Sequence, residues 1–426
     1  AEYNGYKVYN ADGCQITTKD AQAIQAQIDS VDMFDDVRHQ DFEAEMAMGR
    51  ISWIDSEVLD DYQKAVIAES LGDTHDARKD LSIIYTPLNG TGNPLVPAVL
   101  KQTDFIKIEM VPQQSRPDPS FATCPYPNPE SSEALSCGLD IARRKHADIL
   151  IATDPDCDRM GLAVNHDKSW QRLTGNDVGV LLLDWLCCHE KAAGHSLAQR
   201  VVITTIVTTP MIDELAKYYG FELRRTLTGF KFIGEQIGLL EAQREQDRFL
   251  FGLEESIGYL KGTYVRDKDG VIASLLACEM AADYKAKGID LIDRLDQLHD
   301  RFGHFATKQI SVPFQGIDGP SQMRSILAHL RELNLKELAN LPVLHITDYI
   351  HGAPMPTLNS ASKRSQQKLP ASNVLQWDLS GGSRLLIRPS GTEPKLKSYL
   401  FAHGATEEGA IITLNQLESG LHNLLK

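Results

Sequence analysis

The chain has 426 residues, 42% of them hydrophobic and 24% charged, with a formal net charge of −15. This is the composition of a globular protein of roughly two to four domains. The acidic balance excludes a nucleic-acid backbone binder, which needs a basic footprint, but not a protein that holds one small anion with a few local cations and backbone N–H groups.

In chain order, Tyr6-Lys7-Val8-Tyr9 reads as a strand and Asn10-Ala11-Asp12-Gly13 as a turn. A helix from about residue 19 then carries Ala21, Ile24 and Ile28 on one face. A strand over 81–85 leads into the loop Thr86-Pro87-Leu88-Asn89-Gly90-Thr91-Gly92-Asn93, a helix over 94–101 and a strand over 104–110. After a proline-rich stretch, Asn128 is placed to cap a helix with Pro129 at its first position, ending near 146. A strand over 148–153 closes a βαβαβ alternation, which predicts a mostly parallel sheet. The alternation recurs with helices over 178–188 and 211–219, strands over 201–204 and 249–252, and a helix from 270 to about 287. Residues 313–320 read as a linker. Strands over 341–347, 374–377, 384–387 and 398–401 with a terminal helix over 407–425 form an α+β pattern, and 358–372 reads as a mobile polar loop. The expected fold class is α/β: repeated α/β domains with mostly parallel mixed sheets, plus a C-terminal α+β domain. No run approaches the ~18–20 apolar residues of a membrane span. The seven cysteines include no CxxC pair, so neither a disulfide framework nor a zinc site is expected, and a reducing, cytoplasmic setting is.

The strand over 148–153 is followed by Asp154-Pro155-Asp156-Cys157-Asp158-Arg159. Carboxylates at i, i+2 and i+4 leave an extended segment on one side and can converge on one hard cation such as Mg²⁺. An EF-hand loop would need glycine and glutamate where Arg159 and Asn165 stand. A haloacid-dehalogenase-type phosphatase also begins Asp-x-Asp, but prefers Thr or Val where this chain has Asp158. An aspartate-rich surface turn is the plainer alternative.

Four further loops carry polar groups, two at the ends of apolar strands and two ahead of helices. Arg388-Pro389-Ser390-Gly391-Thr392-Glu393-Pro394-Lys395 supplies a permanent cation, two hydroxyls and glycine-permitted backbone approach, parts that can cradle a phosphate. Glu254-Glu255-Ser256 offers carboxylates and a hydroxyl suited to vicinal sugar hydroxyls. Thr228-Gly229-Phe230-Lys231 and Arg266-Asp267-Lys268-Asp269-Gly270 each place a cation beside a helix N-terminus, where anions are favoured. Each loop alone is also an everyday solvated turn.

Together with Asn4-Gly5-Tyr6-Lys7-Val8-Tyr9 and Pro127-Asn128-Pro129-Glu130, these loops stand in the order found in the α-D-phosphohexomutase superfamily, and the chain resembles its phosphoglucomutase and phosphopentomutase branch. The resemblance implies domains at 1–52, 53–170, 171–312 and 313–426, and interconversion of hexose 1-phosphate and 6-phosphate, glucose foremost, through a phosphoserine and a bisphosphate. It implies Mg²⁺ on Asp154, Asp156 and Asp158, with Arg159 beside the phosphoserine. Glu254 and Ser256 would read the sugar hydroxyls; Gly229, Lys231 and Lys268 would orient substrate; Arg388, Ser390, Gly391 and Thr392 would hold the phosphate not being transferred. Sugar phosphates are the implied partners and glucose 1,6-bisphosphate the implied activator, without nucleic acid or membrane. The family's Ser-His-Asn-Pro loop, which carries the nucleophile, occurs nowhere in the 426 residues. The chain is therefore expected to lack most of the first domain and to be inactive alone by that route. A non-catalytic sugar-phosphate binding protein, or a phosphatase using Asp154 as nucleophile, are the alternative functions.

Overall fold

The computed structural model describes residues 7–71, 75–314, 318–359, 368–390 and 395–425. Strands β1 (Ser82–Thr86), β2 (Lys107–Met110), β3 (Ile149–Thr153), β4 (Met160–His166) and β5 (Ser169–Leu173) form one sheet in the order β2-β1-β3-β4-β5. The first three are parallel and the last two antiparallel. Every residue of β3 is buried, as its unbroken Ile-Leu-Ile-Ala-Thr run requires of a central strand covered on both faces. The β4–β5 hairpin closes on Asp167 and Lys168, both with positive φ (48° and 65°), the two-residue geometry that matches strand twist.

A second sheet repeats the plan. Strands β6 (Val201–Thr205), β7 (Glu222–Thr226) and β8 (Phe249–Glu254) are parallel, and β9 (Gly258–Leu260) returns antiparallel to β8. The remaining strands are β10 (His304–Pro313), β11 (Glu337–Leu338), β12 (Leu341–Asp348), β13 (Ala353–Pro354), β14 (Thr357–Leu358), β15 (Lys368–Leu369), β16 (Leu375–Leu379), β17 (Arg384–Pro389) and β18 (Lys395–Gly404). Six of them make an antiparallel sheet, β10-β18-β17-β16-β12-β11, covered by the helix Glu407–Leu424, and β14 adds to the edge of the second sheet beside β7. The fold is thus α/β in two repeated units, with an α+β C-terminal unit.

The two α/β units share one continuous apolar core. Its spine is the helix Gly270–Ala286, whose residues 270–284 are buried on every side, apolar ones all round the helix and the polar Ser274, Glu279 and Asp283 each with a hydrogen-bond or ion-pair partner. It is started by Asp269, whose carboxylate accepts from the N–H groups of Val271 (2.7 Å) and Ile272 and from the hydroxyls of Tyr62 (2.8 Å) and Tyr264 (2.7 Å). Among the described residues no helix is long and apolar enough to cross a membrane.

Several local expectations change. The strand expected at 6–9 has only a single bridge, Tyr9 to Gln15, among its described residues. Asn128 accepts from the N–H of Glu130 in a turn, and the helix starts later, at Ser132 behind Ser131. A cut after 312 would sever β10 from β18, with which it pairs along its whole length, and a cut after 170 would fall inside β5. Of the expected linker, 315–317 lie outside the described residues, and of the expected mobile loop, 360–367 do; the ends of that loop, β14 and β15, pair with β7 and β13.

Close backbone approach within the second α/β unit depends on Gly175, the first residue of the helix Gly175–Ala192. A Cβ there would overlap the carbonyl oxygen of Glu255 and the amide of Ile257, both main-chain atoms that cannot rotate away. Gly175→Ala is expected to cost about 1–3 kcal/mol in chemical denaturation; an unchanged midpoint would show that the two loops separate freely.

Candidate active site

The carboxyl ends of the parallel strands carry the polar loops, the position where open α/β sheets bind ligands. Beyond β3, Asp154, Asp156 and Asp158 each present a carboxylate oxygen, all within 4.8 Å of one another. Cys157 turns the loop with a positive φ of 57°, and Asp154 Oδ1 accepts from the N–H groups of Asp158 (3.1 Å) and Arg159 (3.0 Å), closing it. Burial and then the neighbouring charges of Asp158 and Asp156 push Asp154 up to about 7. Asp158 is held below the ordinary carboxylate range, because its burial is outweighed by the ammonium groups of Lys268 (2.7 Å) and Lys7 (2.8 Å). Arg159 Nε lies 4.0 Å from Asp154 and 3.8 Å from Asp158, buried and without a hydrogen-bond partner. An all-oxygen donor set with a compressed, partly desolvated negative charge fits a hard divalent cation. Cys157 adds no thiolate, since burial keeps its thiol protonated. A second group, His166, Asp290 and Asp293, is accounted for by structure: the two aspartates form the capping box of the helix Leu291–Phe302.

Beyond β8, Glu254 is buried and accepts from the N–H of Gly229 (2.8 Å). Gly229 has φ 118°, a conformation open to glycine, so its place is to aim Glu254. Burial pushes Glu254 above the carboxylate range, opposed by Lys268, the Gly229 N–H and Arg159. Glu255 accepts from Thr205 Oγ1 (3.1 Å) and is pushed up to about 8 by burial and by Glu254. A main-chain bond from Met160 N–H to the Ile257 carbonyl (3.0 Å) ties the metal loop to this loop, and one from Gly270 N–H to the Cys157 carbonyl (2.9 Å) ties it to the segment that carries Lys268. Lys268 joins them electrostatically, bound to Asp158 and acting on Glu254.

Near the end of β17, Arg388 Nη2 donates to the Tyr399 hydroxyl (3.0 Å), with the guanidinium 5.7 Å from that ring's centre. Its Nε is buried and unpartnered. Ser390 N–H donates to the Lys395 carbonyl (2.8 Å), whereas Gly391 and Thr392 lie outside the described residues. A cavity of about 140 Å³ at this seam is lined by Glu255 and Ser256 from one side and Thr307 and Tyr399 from the other. A wider cleft of about 520 Å³ opens at the other end of β17, beside Arg384. Its charged groups are already paired, Arg384 with Asp378 (2.7 Å) and Arg225 with Asp213 (3.0 Å). Lys231 lies over the Phe232 ring at 5.2 Å, on the first turn of the helix Phe230–Ala242.

The fold therefore gathers Asp154, Asp156, Asp158, Arg159, Lys268, Gly229 and Glu254 into one connected cluster, and sets Ser256 on the seam that the C-terminal unit shares. Sequence reasoning did not place Lys7, Thr205, Glu255 or Tyr399 in it. Lys7 is 151 residues from Asp158, and Glu255, grouped with Glu254 as a carboxylate for sugar hydroxyls, instead accepts from Thr205.

Residues 60–168 match the family model "Phosphoglucomutase/phosphomannomutase, alpha/beta/alpha domain II" and residues 174–300 match the corresponding domain III. A phosphoglucomutase of Staphylococcus aureus (strain MRSA252) is 33% identical over 400 residues, covering 94% of this chain and 70% of that protein. Among solved structures, the open form of parafusin, a Paramecium phosphoglucomutase, superposes with a TM-score of 0.60 at 17% identity, over 86% of this chain and 62% of its own. A phosphoglucomutase/phosphomannomutase family protein of Burkholderia thailandensis does so with a TM-score of 0.56 at 15% identity, over 90% and 68%. The chain thus spans less than two thirds of the Paramecium protein. Two consecutive family domains in order and a relative matched along nearly the whole chain lead to one conclusion: this chain belongs to the phosphoglucomutase/phosphomannomutase family, within the α-D-phosphohexomutase superfamily.

Proposed function

We propose that the chain carries the metal, sugar and distal-phosphate sites of a phosphosugar mutase that interconverts hexose 1-phosphate and hexose 6-phosphate, with glucose as the hexose. The observation that carries this reading is Lys268, whose ammonium binds Asp158 of the carboxylate triad at 2.7 Å and bears electrostatically on the sugar-reading Glu254, while Glu255 of the same loop lines a cavity with Tyr399, the residue that holds Arg388. The triad would hold Mg²⁺, which supplies positive charge to the oxygens of a phosphoryl group in transfer. Arg159, held beside the triad with an unused Nε, would donate to that phosphoryl group. Glu254, its second oxygen free of the Gly229 bond, accepts from one ring hydroxyl, and Ser256 donates to or accepts from its neighbour. Arg388 and Ser390, with Gly391 and Thr392, hold the phosphate at the far end of the sugar, while Lys231 adds charge at a helix N-terminus. Reading vicinal hydroxyls between two anion sites suits a bisphosphate that must turn end for end. On this reading a phosphoserine in a Ser-His-Asn-Pro loop is the phosphoryl donor, glucose 1,6-bisphosphate the primer, and 1–52, 53–170, 171–312 and 313–426 the functional units, with the last boundary better drawn before β10.

The test is conversion of glucose 1-phosphate, primed with glucose 1,6-bisphosphate and Mg²⁺, by this chain with a Ser-His-Asn-Pro loop supplied ahead of it. Failure on every hexose and pentose phosphate would overturn the reading. For binding alone, Arg388→Ala is expected to weaken glucose 1-phosphate by about 1.5–3 kcal/mol in calorimetry, the scale of a lost charge-assisted hydrogen bond.

A further inference from the structure

We propose that the loop over 86–92, through Gly90 and Thr91, is a positioning element for the metal loop: it fixes the spacing of Asp154, Asp156 and Asp158 and so sets their preference for Mg²⁺ over the larger Ca²⁺. The proposal rests on the reading above, in which the triad holds a divalent cation.

This loop leaves the carboxyl end of β1, beside β3, and packs against Pro155 and Cys157, the two residues that separate the ligands. Thr91 N–H and Oγ1 both donate to the Pro155 carbonyl, at 2.9 and 3.2 Å. Thr91 is the N-cap of the helix Gly92–Gln102, where a threonine hydroxyl ordinarily accepts from its own helix, yet here it makes no such bond. Gly90 lies so close that a Cβ there would overlap the Cα and carbonyl of Pro155. A Cβ on Gly92 would likewise meet the Tyr85 hydroxyl, Thr153 Oγ1 and Cys157 Sγ. The turn that delivers Gly90 is strained, since Leu88 and Asn89 have consecutive positive φ (46° and 61°), uncommon for a bulky residue such as leucine. It is fastened to the segment after β2 by Asn89 N–H to the Gln114 carbonyl (2.7 Å), Asn89 Nδ2 to the Arg116 carbonyl (2.6 Å) and Thr86 Oγ1 to Gln114 Oε1 (2.7 Å).

The Pro155 carbonyl belongs to the peptide that leads into Asp156. Asp154 is anchored by the amides of Asp158 and Arg159, and Asp158 by Lys7 and Lys268. The Asp156 side chain is 63% exposed and has, among the described residues, only a long ion pair with Lys7 (3.7 Å). Its place therefore follows from the peptide that Thr91 holds. The three ligand oxygens lie within 4.8 Å of one another. Mg²⁺ takes oxygens at about 2.0–2.1 Å in a near-octahedral array, whereas Ca²⁺ takes them at about 2.3–2.6 Å in an irregular one. Accepting Ca²⁺ requires the loop to widen, and a loop gripped at Pro155 by two donors and by main-chain contact resists widening.

The experiment is calorimetry of Mg²⁺ and of Ca²⁺, each titrated as the chloride into the chain as it stands, with metal-free thermal unfolding alongside. The parent protein is expected to bind Mg²⁺ the more tightly. Thr91→Val keeps the shape and removes the hydroxyl, so Mg²⁺ affinity is expected to fall about tenfold, the scale of a lost outer-shell contact. Ca²⁺ affinity is expected to change by less than about twofold, because its geometry adapts. Thr91→Ser keeps the hydroxyl and is expected to keep the parent's ratio of affinities. Gly90→Ala displaces Pro155 and should shift that ratio further in the direction of Thr91→Val. Because the Thr91 hydroxyl makes no helix cap, the metal-free midpoint of Thr91→Val should stay at the parent's. A merely structural turn would lose both cations by the same factor; that result in Thr91→Val overturns the proposal. An unchanged Mg²⁺ affinity there does so too, as does a parent that binds Ca²⁺ as tightly as Mg²⁺. If Asp156→Ala binds Mg²⁺ as the parent does, or the parent binds neither cation, the metal reading itself has failed and this inference with it.

Discussion

Glu279→Ala is expected to lower the unfolding free energy by about 3–5 kcal/mol, because it removes one partner of a fully buried ion pair. Glu279, on the shared helix Gly270–Ala286, binds Arg78 Nη2 at 2.8 Å; the two side chains are 1% and 2% exposed. The same carboxylate accepts from Ser70 Oγ and from the Leu71 N–H (3.1 Å), which ties the connecting segment ahead of the first sheet to the helix. Among the described residues Arg78 otherwise donates to the Thr103 carbonyl (3.2 Å) and, at longer range, to Ser70 Oγ (3.3 Å), and its Nε lacks a partner. Truncation would leave a guanidinium in an apolar setting with no way to lose its charge. Denaturant unfolding followed by circular dichroism should register the loss. Replacing both partners, Arg78→Met with Glu279→Leu, should recover most of it, because the penalty belongs to the uncompensated charge. A cost under about 1 kcal/mol for Glu279→Ala would mean that water reaches the site.

Asp156→Ala is expected to weaken Mg²⁺ binding by about a hundredfold or more, since it deletes a direct ligand where loss of mere supporting contacts already costs about 10–100-fold. Its effect on folding should be small and of the opposite sign. The Asp156 side chain is 63% exposed and carries no capping bond, so its removal eases repulsion within the triad at no cost in packing. Asp154→Ala would make a poorer test, because Asp154 also closes the loop through the amides of Asp158 and Arg159. Calorimetry showing the same Mg²⁺ affinity in Asp156→Ala and parent would remove the metal assignment. A thermal midpoint that fell with the affinity would recast the triad as a structural turn.

How much of this was legible beforehand depended on range along the chain. The helix Met211–Tyr219 could be read to its ends, because Pro210 and the left-handed Gly220 (φ 83°) mark them locally. The triad was legible for the same reason: two-residue spacing after a buried strand is a local pattern. The β4–β5 hairpin was missed because Asp167-Lys168 is not one of the usual pairs for its turn. Strand β10 was missed because its place is set by a partner, β18, some ninety residues away, roughly as any non-local pairing is.

By itself, then, the sequence determined the alternation of strands and helices, the oxygen-rich metal loop and the polar loops at strand ends, all of them consequences of short-range periodicity and steric preference. Only the tertiary structure decided that Lys7 and Lys268 meet Asp158, that the amide of Gly229 is spent on Glu254, and that Glu255 turns to Thr205 and the Arg388 seam. Those contacts join residues from 25 to 151 positions apart. Charge interactions become strong enough to shape a site only where burial removes water, and burial is a property of the whole packed chain rather than of any segment.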